Sequence, residues 1–142
     1  MQYEISNFSL PGYESRHNLK YWRCEEYLGV GAAAHSFVGG KRFYNERSIA
    51  DFLEGKPPVN DGDGGDEEEF VMLALRLTEG LSGERFAERY GHMLPREFDK
   101  KAAFFASKGL MTVGGERYSL TPQGFLLSNS IIFELIDTLE AE

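Results

Sequence analysis

An α+β fold is predicted by three features of this sequence. Apolar residues recur at helical spacing after residue 66, alternation changes to a strand-like period at 110–120, and Thr121-Pro122 opens a further helix. The chain has 142 residues, 42% of them apolar, which suits one domain or one domain with an appendage.

The elements of the second part follow in order. Asp66 with Glu69 three residues on has capping-box spacing, and the carboxylates at 66–69 suit a helix N-terminus. Phe70, Leu73, Ala74 and Leu77 then predict an amphipathic helix ending near Gly80. Ser82 caps a short helix carrying Phe86, Ala87 and Tyr90, stopped by Gly91. Pro95 takes a first helical position, Phe98, Ala102 and Phe105 mark the buried stripe, and Gly109 ends that helix. Residues 110–113 and 118–120 form a hairpin around a glycine turn at 114–117. Thr121 and Pro122 are the N-cap and first position of a last helix, with Phe125, Ser128, Ile132, Leu135, Ile136 and Leu139 along one side. Three helices, a hairpin and a closing helix make 66–142 a winged-helix-like module.

Charge limits what that module does. Residues 1–56 carry seven basic and seven acidic side chains and 57–142 carry eight and sixteen, so the net charge of −8 lies in the second part. Phosphate neutralisation needs clustered Lys and Arg. Only Arg96, Lys100, Lys101 and Lys108 gather on one helix, interleaved with Glu97 and Asp99, so a solvated face is expected and no nucleic-acid partner. A single cysteine, Cys24, excludes a disulfide framework and an iron–sulfur cluster held by these residues alone. Neither an apolar run of membrane-spanning length nor a secretory start is present, so a cytoplasmic protein is expected. Between the parts, 57–65 contains two prolines, three glycines and two aspartates and reads as a loosely ordered surface linker.

The first part carries the chemistry. Residues 3–8 alternate like a strand and Pro11-Gly12 reads as a turn. The string His17-Asn18-Leu19-Lys20-Tyr21-Trp22 follows, then the small-residue stretch 28–36 with Gly29, Gly31, Ala34 and His35. Taken alone, Gly29-x-Gly31 suits close packing of a strand or helix start, or close approach of backbone amides to a nucleotide. His17 alone suits a capping or hydrogen-bonded imidazole, or an axial ligand to haem iron.

Four strings, YEISNF (3–8), PGYESRHNLKYW (11–22), YLGVGAAAHS (27–36) and GLMTVGGERYSLTPQGFLLSN (109–129), together resemble the oxygen-independent coproporphyrinogen III oxidases and their haem-chaperone-like relatives, the HemN/HemW type of radical S-adenosylmethionine protein. The resemblance spans nearly the whole chain in the family's order. It implies a C-terminal portion acting in tetrapyrrole metabolism: residues 1–56 as the last strand and following segment of a truncated β/α barrel, and 66–142 as the family's C-terminal domain covering the barrel mouth. The Cys-x3-Cys-x2-Cys loop that holds a [4Fe–4S] cluster in the family, and most of the barrel, lie outside this sequence, so no catalytic residue is expected here. A cut piece of a longer protein is favoured over a stand-alone remnant, because a barrel strand at 3–8 would otherwise have an unpaired edge, through which an oligomer can form.

The resemblance also assigns residues. Gly29, Gly31, Ala34 and His35 match the segment that lines the S-adenosylmethionine pocket near the adenine. His17, Asn18, Tyr21 and Trp22 match the motif associated with haem binding in the chaperone-like branch; Tyr21 and Trp22 stack on a porphyrin face in that reading and Asn18 orients the imidazole. A tetrapyrrole or haem is the expected partner.

Overall fold

The computed structural model describes residues 1–140, and five of its helices begin at a side-chain cap. The Asp66 carboxylate accepts from Glu69 N–H at 2.8 Å and starts the helix Glu67–Ala74. In chain order the helices are α1 (Arg16–Trp22), α2 (Ile49–Leu53), α3 (Glu67–Ala74), α4 (Gly83–Tyr90), α5 (Arg96–Ser107), α6 (Pro122–Leu126) and α7 (Ser128–Ile136). Ser15, Ser48, Ser82 and Thr121 cap α1, α2, α4 and α6 through side-chain oxygens, and Gly91 ends α4 at φ +81°. Pro95 stands at the N-cap of α5, one residue before its expected place.

The strands are β1 (Gln2–Glu4), β2 (Asn7–Phe8), β3 (His35–Val38), β4 (Lys41–Tyr44), β5 (Val59–Asp63), β6 (Leu81–Ser82), β7 (Met111–Gly114) and β8 (Arg117–Leu120). They form three antiparallel sheets, β1-β2, β3-β4-β5 and β6-β8-β7. Gly115 and Glu116 turn the β7–β8 hairpin with φ of +56° and +59°, the pair of positive values a two-residue primed turn requires. Phe86, Phe98, Leu75, Leu81, Ile131 and Leu135, all buried, centre a core between α3, α4, α5, α7 and the third sheet.

Four expectations are corrected. The helix opening at Asp66 stops at Ala74 rather than near Gly80, because residues 76–78 turn their backbone groups to the chain's start: Ile5 N–H donates to Arg76 O at 3.0 Å and Thr78 N–H to Tyr3 O at 3.1 Å. The closing helix is two, α6 and α7, because Leu127 (φ −115°, ψ 17°) leaves the helical region and its N–H turns back to Gly124 O at 3.0 Å. Residues 3–8 are not one barrel strand but the β1–β2 hairpin. The Glu4 carboxylate draws the turn in by accepting from Ser6 N–H at 2.9 Å and Asn7 Nδ2 at 2.6 Å. The edge on which the oligomer expectation rested is thereby folded back on itself. Residues 57–65 are not a loose linker, since β5 pairs along β4 from Lys41–Asp63 to Tyr44–Val59, with a register shift between Arg42 and Phe43. Backbone pairing outweighs the glycines there, and Gly62 takes φ +98°.

The first part lies against the second through Cys24 and Phe37, which join the core, and through polar fastenings. Glu4, 0% exposed, accepts from Arg76 Nε at 2.9 Å and lies 2.8 Å from Arg76 Nη2. Arg23 makes a two-point pair with Glu79 (2.9 Å each), Arg42 reaches Glu69 at 2.6 Å, and Arg89 donates to Cys24 O at 3.0 Å.

Candidate functional site

Helix α1 sorts the four residues of the 17–22 motif onto different surroundings. His17 and Tyr21 are four apart, so they share a face. The Tyr21 hydroxyl and His17 Nε2 share a hydrogen bond of 2.5 Å, with the rings edge-on at 4.7 Å. Tyr21 in turn stands edge-on to Tyr27 at 4.5 Å, and Arg42 Nη1 reaches the Tyr27 hydroxyl at 3.4 Å. Trp22 lies elsewhere, under the Arg76 guanidinium at 4.7 Å. Asn18 donates its backbone N–H to the Ser15 cap, and no bond joins its side chain to the imidazole. The geometry thus brings together His17 and Tyr21, and separates both from Trp22.

The stretch 27–36 is a braced loop feeding β3. Tyr27 bridges Phe37, Gly29 N–H donates to Ser36 Oγ at 2.9 Å, Ala33 N–H to Glu46 O at 3.0 Å and Ala34 N–H to Gly31 O at 3.3 Å. Asn45 clamps the loop from β4's end, donating Nδ2 to Gly31 O and its N–H to Ala34 O, both at 2.9 Å. Gly29 is required by close approach, since a Cβ there would stand 2.2 Å from His35 O, and Gly31 sits at φ +111°. Among the described residues the N–H groups of Val30, Gly31 and Ala32 donate to no other part of the chain. Leu28 and Val30 are exposed, Val30 at 86%. His35 leaves the loop on β3, tilted on Tyr44 at 5.2 Å, with Nδ1 3.8 Å from Asp61 Oδ2.

A groove of about 210 Å³ runs between α1, the second sheet and α3, lined by Tyr21, Cys24, Tyr27, Phe37, Arg42 and Glu69 among others. Burial raises the Cys24 pKa, and the thiol is 2% exposed. That lone, buried, protonated thiol does not fit the ligand set of a [4Fe–4S] cluster, and no group of three or more metal-ligating side chains gathers among the described residues. The open backbone of this loop is therefore 30–32, where three N–H groups have no partner in the chain and a Cβ at Gly31 would meet nothing within 4 Å. At the other end of α1 the hydrogen bond from Arg23 holds the Glu79 carboxyl below its ordinary value.

Sequence reasoning missed Tyr27, Arg42, Asn45 and Arg76 as supports of these residues. Tyr27 and Asn45 were within reach, flanking the small-residue stretch and the strand that follows it. Arg42 and Arg76 act across long separations, on Glu69 and Glu4, which no local pattern reports. No described helix is long and apolar enough to cross a membrane.

A family model described as the HemN C-terminal domain matches residues 67–127. The haem chaperone HemW of Bacillus subtilis is 40% identical over 138 residues, which cover 92% of this chain and 36% of that protein. HemW of Lactococcus lactis is 31% identical over 91% of this chain and 36% of its own length, and HemW of Escherichia coli 30% over 92% and 36%. The chain therefore spans about a third of these relatives. A solved structure, the coproporphyrinogen III oxidase HemN from Escherichia coli, described as a radical SAM enzyme, shares the fold over 80% of this chain and 29% of that one, with a TM-score of 0.54 and 20% identity. With a HemN C-terminal domain at 67–127 and HemW similarity running through the residues before it, the chain belongs to the C-terminal part of the HemN/HemW type.

Proposed function

We propose that this chain is the haem-handling C-terminal part of a HemN/HemW-type protein and that His17 is its iron ligand. The observation that carries the reading is the exposed imidazole at the first turn of α1, fixed by Tyr21 and backed by Tyr27. An imidazole is a common axial ligand, and adjacent aromatic rings give a porphyrin an apolar edge to rest on. Arg76 holds Trp22, so in this reading Trp22 anchors α1 rather than stacking on the ring. Asn18 belongs to the helix start. Haem titration of the chain by Soret absorbance tests the assignment: His17→Ala is expected to weaken binding at least tenfold, and unchanged binding overturns it.

A second reading concerns the loop 29–34 and rests on the free backbone donors of Val30, Gly31 and Ala32. In it, Gly29, Gly31 and Ala34 form one wall of an S-adenosylmethionine pocket, with His35 at its rim, and 66–140 shields the site as a lid. S-adenosylmethionine supplies radical chemistry when a reduced cluster cleaves it, and the cluster has to come from residues outside this sequence. This chain's residues bind, orient and exclude water. Addition of S-adenosylmethionine is expected to shift the amide resonances of Val30, Gly31 and Ala32 while leaving α5 unmoved. No shift at any of the three sinks this reading. A barrel preceding residue 1 and a cytoplasmic location complete the proposal.

A further inference from the structure

Resting on the haem reading above, we propose that Tyr21 is a gate on His17: its hydroxyl occupies Nε2 and has to let go before iron is bound there. At 2.5 Å the hydrogen bond uses Nε2 whichever of the two groups carries the proton. Nε2 is the ring nitrogen farther from the backbone, whereas Nδ1 is flanked by its own Cβ at a helix start, so the occupied nitrogen is the accessible one. The position of the hydroxyl is built. Tyr21 lies one helical turn after His17, its ring is held edge-on by Tyr27, and Tyr27 is tied to Phe37 by the backbone and to Arg42 through its hydroxyl.

The other two histidines differ in a way that bears on this. His35 faces Asp61 at 3.8 Å and His92 faces Glu67 at 2.9 Å, each a carboxylate partner. His17 alone is capped by a neutral hydroxyl, at an exposed position. Such a cap leaves without stranding a charge, because water satisfies the phenol once iron takes the nitrogen. Tyr21 therefore sets the affinity of the site by competition and keeps the imidazole oriented until haem arrives. It is a positioning residue whose removal helps binding, the opposite of what a stacking role alone requires.

The test is a haem titration of wild type, Tyr21→Phe and His17→Ala, with ring-nitrogen NMR of the haem-free proteins. Phe keeps the ring contact with Tyr27 and removes only the hydroxyl. Tyr21→Phe is expected to bind haem about two- to tenfold more tightly, the factor one net hydrogen bond represents. Without haem, the His17 Nε2 resonance is expected to shift in Tyr21→Phe. Equal or weaker binding by Tyr21→Phe, with His17→Ala still impaired, overturns the gate and leaves the haem ligand standing. Unchanged binding by His17→Ala overturns both. An unmoved Nε2 resonance overturns the gate by itself.

Discussion

Residues 66–140 and the residues before them rely on apolar burial to different degrees. Behind Asp66 the buried side chains are nearly all apolar and meet in one core. Ahead of it only Tyr3, Glu4, Cys24, Ser36 and Phe37 are buried; Cys24 and Phe37 reach into that core, and Glu4–Arg76, Arg23–Glu79 and Arg42–Glu69 fasten the rest. Both sets of candidate site residues lie in this thinly buried part. A rigid module thus carries a lightly anchored one, the arrangement in which loops adjust to ligands while a scaffold stays fixed.

The sharpest way to break that contrast is to damage the core. Phe98 is fully buried and packs edge-on against Tyr118 at 5.2 Å. Phe98→Ala is expected to cost about 3–5 kcal/mol in urea unfolding, the range for removing a buried aromatic side chain. A loss well below that range would mean that the core does not dominate stability. Arg76→Ala strikes the fastening instead. It leaves the Glu4 carboxylate buried against Ser6 N–H and Asn7 alone. Breaking a buried pair costs about 3–5 kcal/mol when the charge is trapped, but here the hairpin is free to open and the global loss stays below that. The amides of Ile5 and Thr78, which bond across this junction, are expected to exchange faster while those of α5 keep their protection. Equal acceleration in α5 would show a single cooperative unit.

The same contrast explains what could be read without coordinates. Helix starts at Ser82 and Thr121, the stop at Gly91 and the β7–β8 turn depend on neighbours within a few residues, so their signals are local. The end of α3, the Glu4–Arg76 pair and the strand within 57–65 depend on partners outside their own segments, and local propensity does not report them. In the candidate site, His17 and Tyr21 share a face by helical spacing, whereas the loss of Trp22 to Arg76 is a long-range event. Sequence pattern therefore reports the core-built part better than the fastened part.

The smallest expected effect lies inside the core-built part and checks that its polar contacts are minor. His92 Nδ1 donates to Met93 O (3.1 Å) and Nε2 meets Glu67 Oε1 at 2.9 Å, tying the end of α4 to the first turn of α3. The Met93 carbonyl first, and the Glu67 carboxylate second, hold its pKa above the ordinary value. A raised folded value means that the charged imidazole stabilises the fold. That contribution is complete below the ordinary imidazole pKa of about 6.5 and disappears as pH rises through the raised one. His92→Ala is therefore expected to lower Tm slightly at about pH 5.5 and to match wild type at about pH 8.5, on either side of that titration. The ring is exposed, so solvent screening keeps the difference far below that of Phe98→Ala. A Tm deficit that persists unchanged at the higher pH would mean that His92 acts by packing on Phe86, which its ring meets at 5.6 Å, and that the ionic contact contributes nothing.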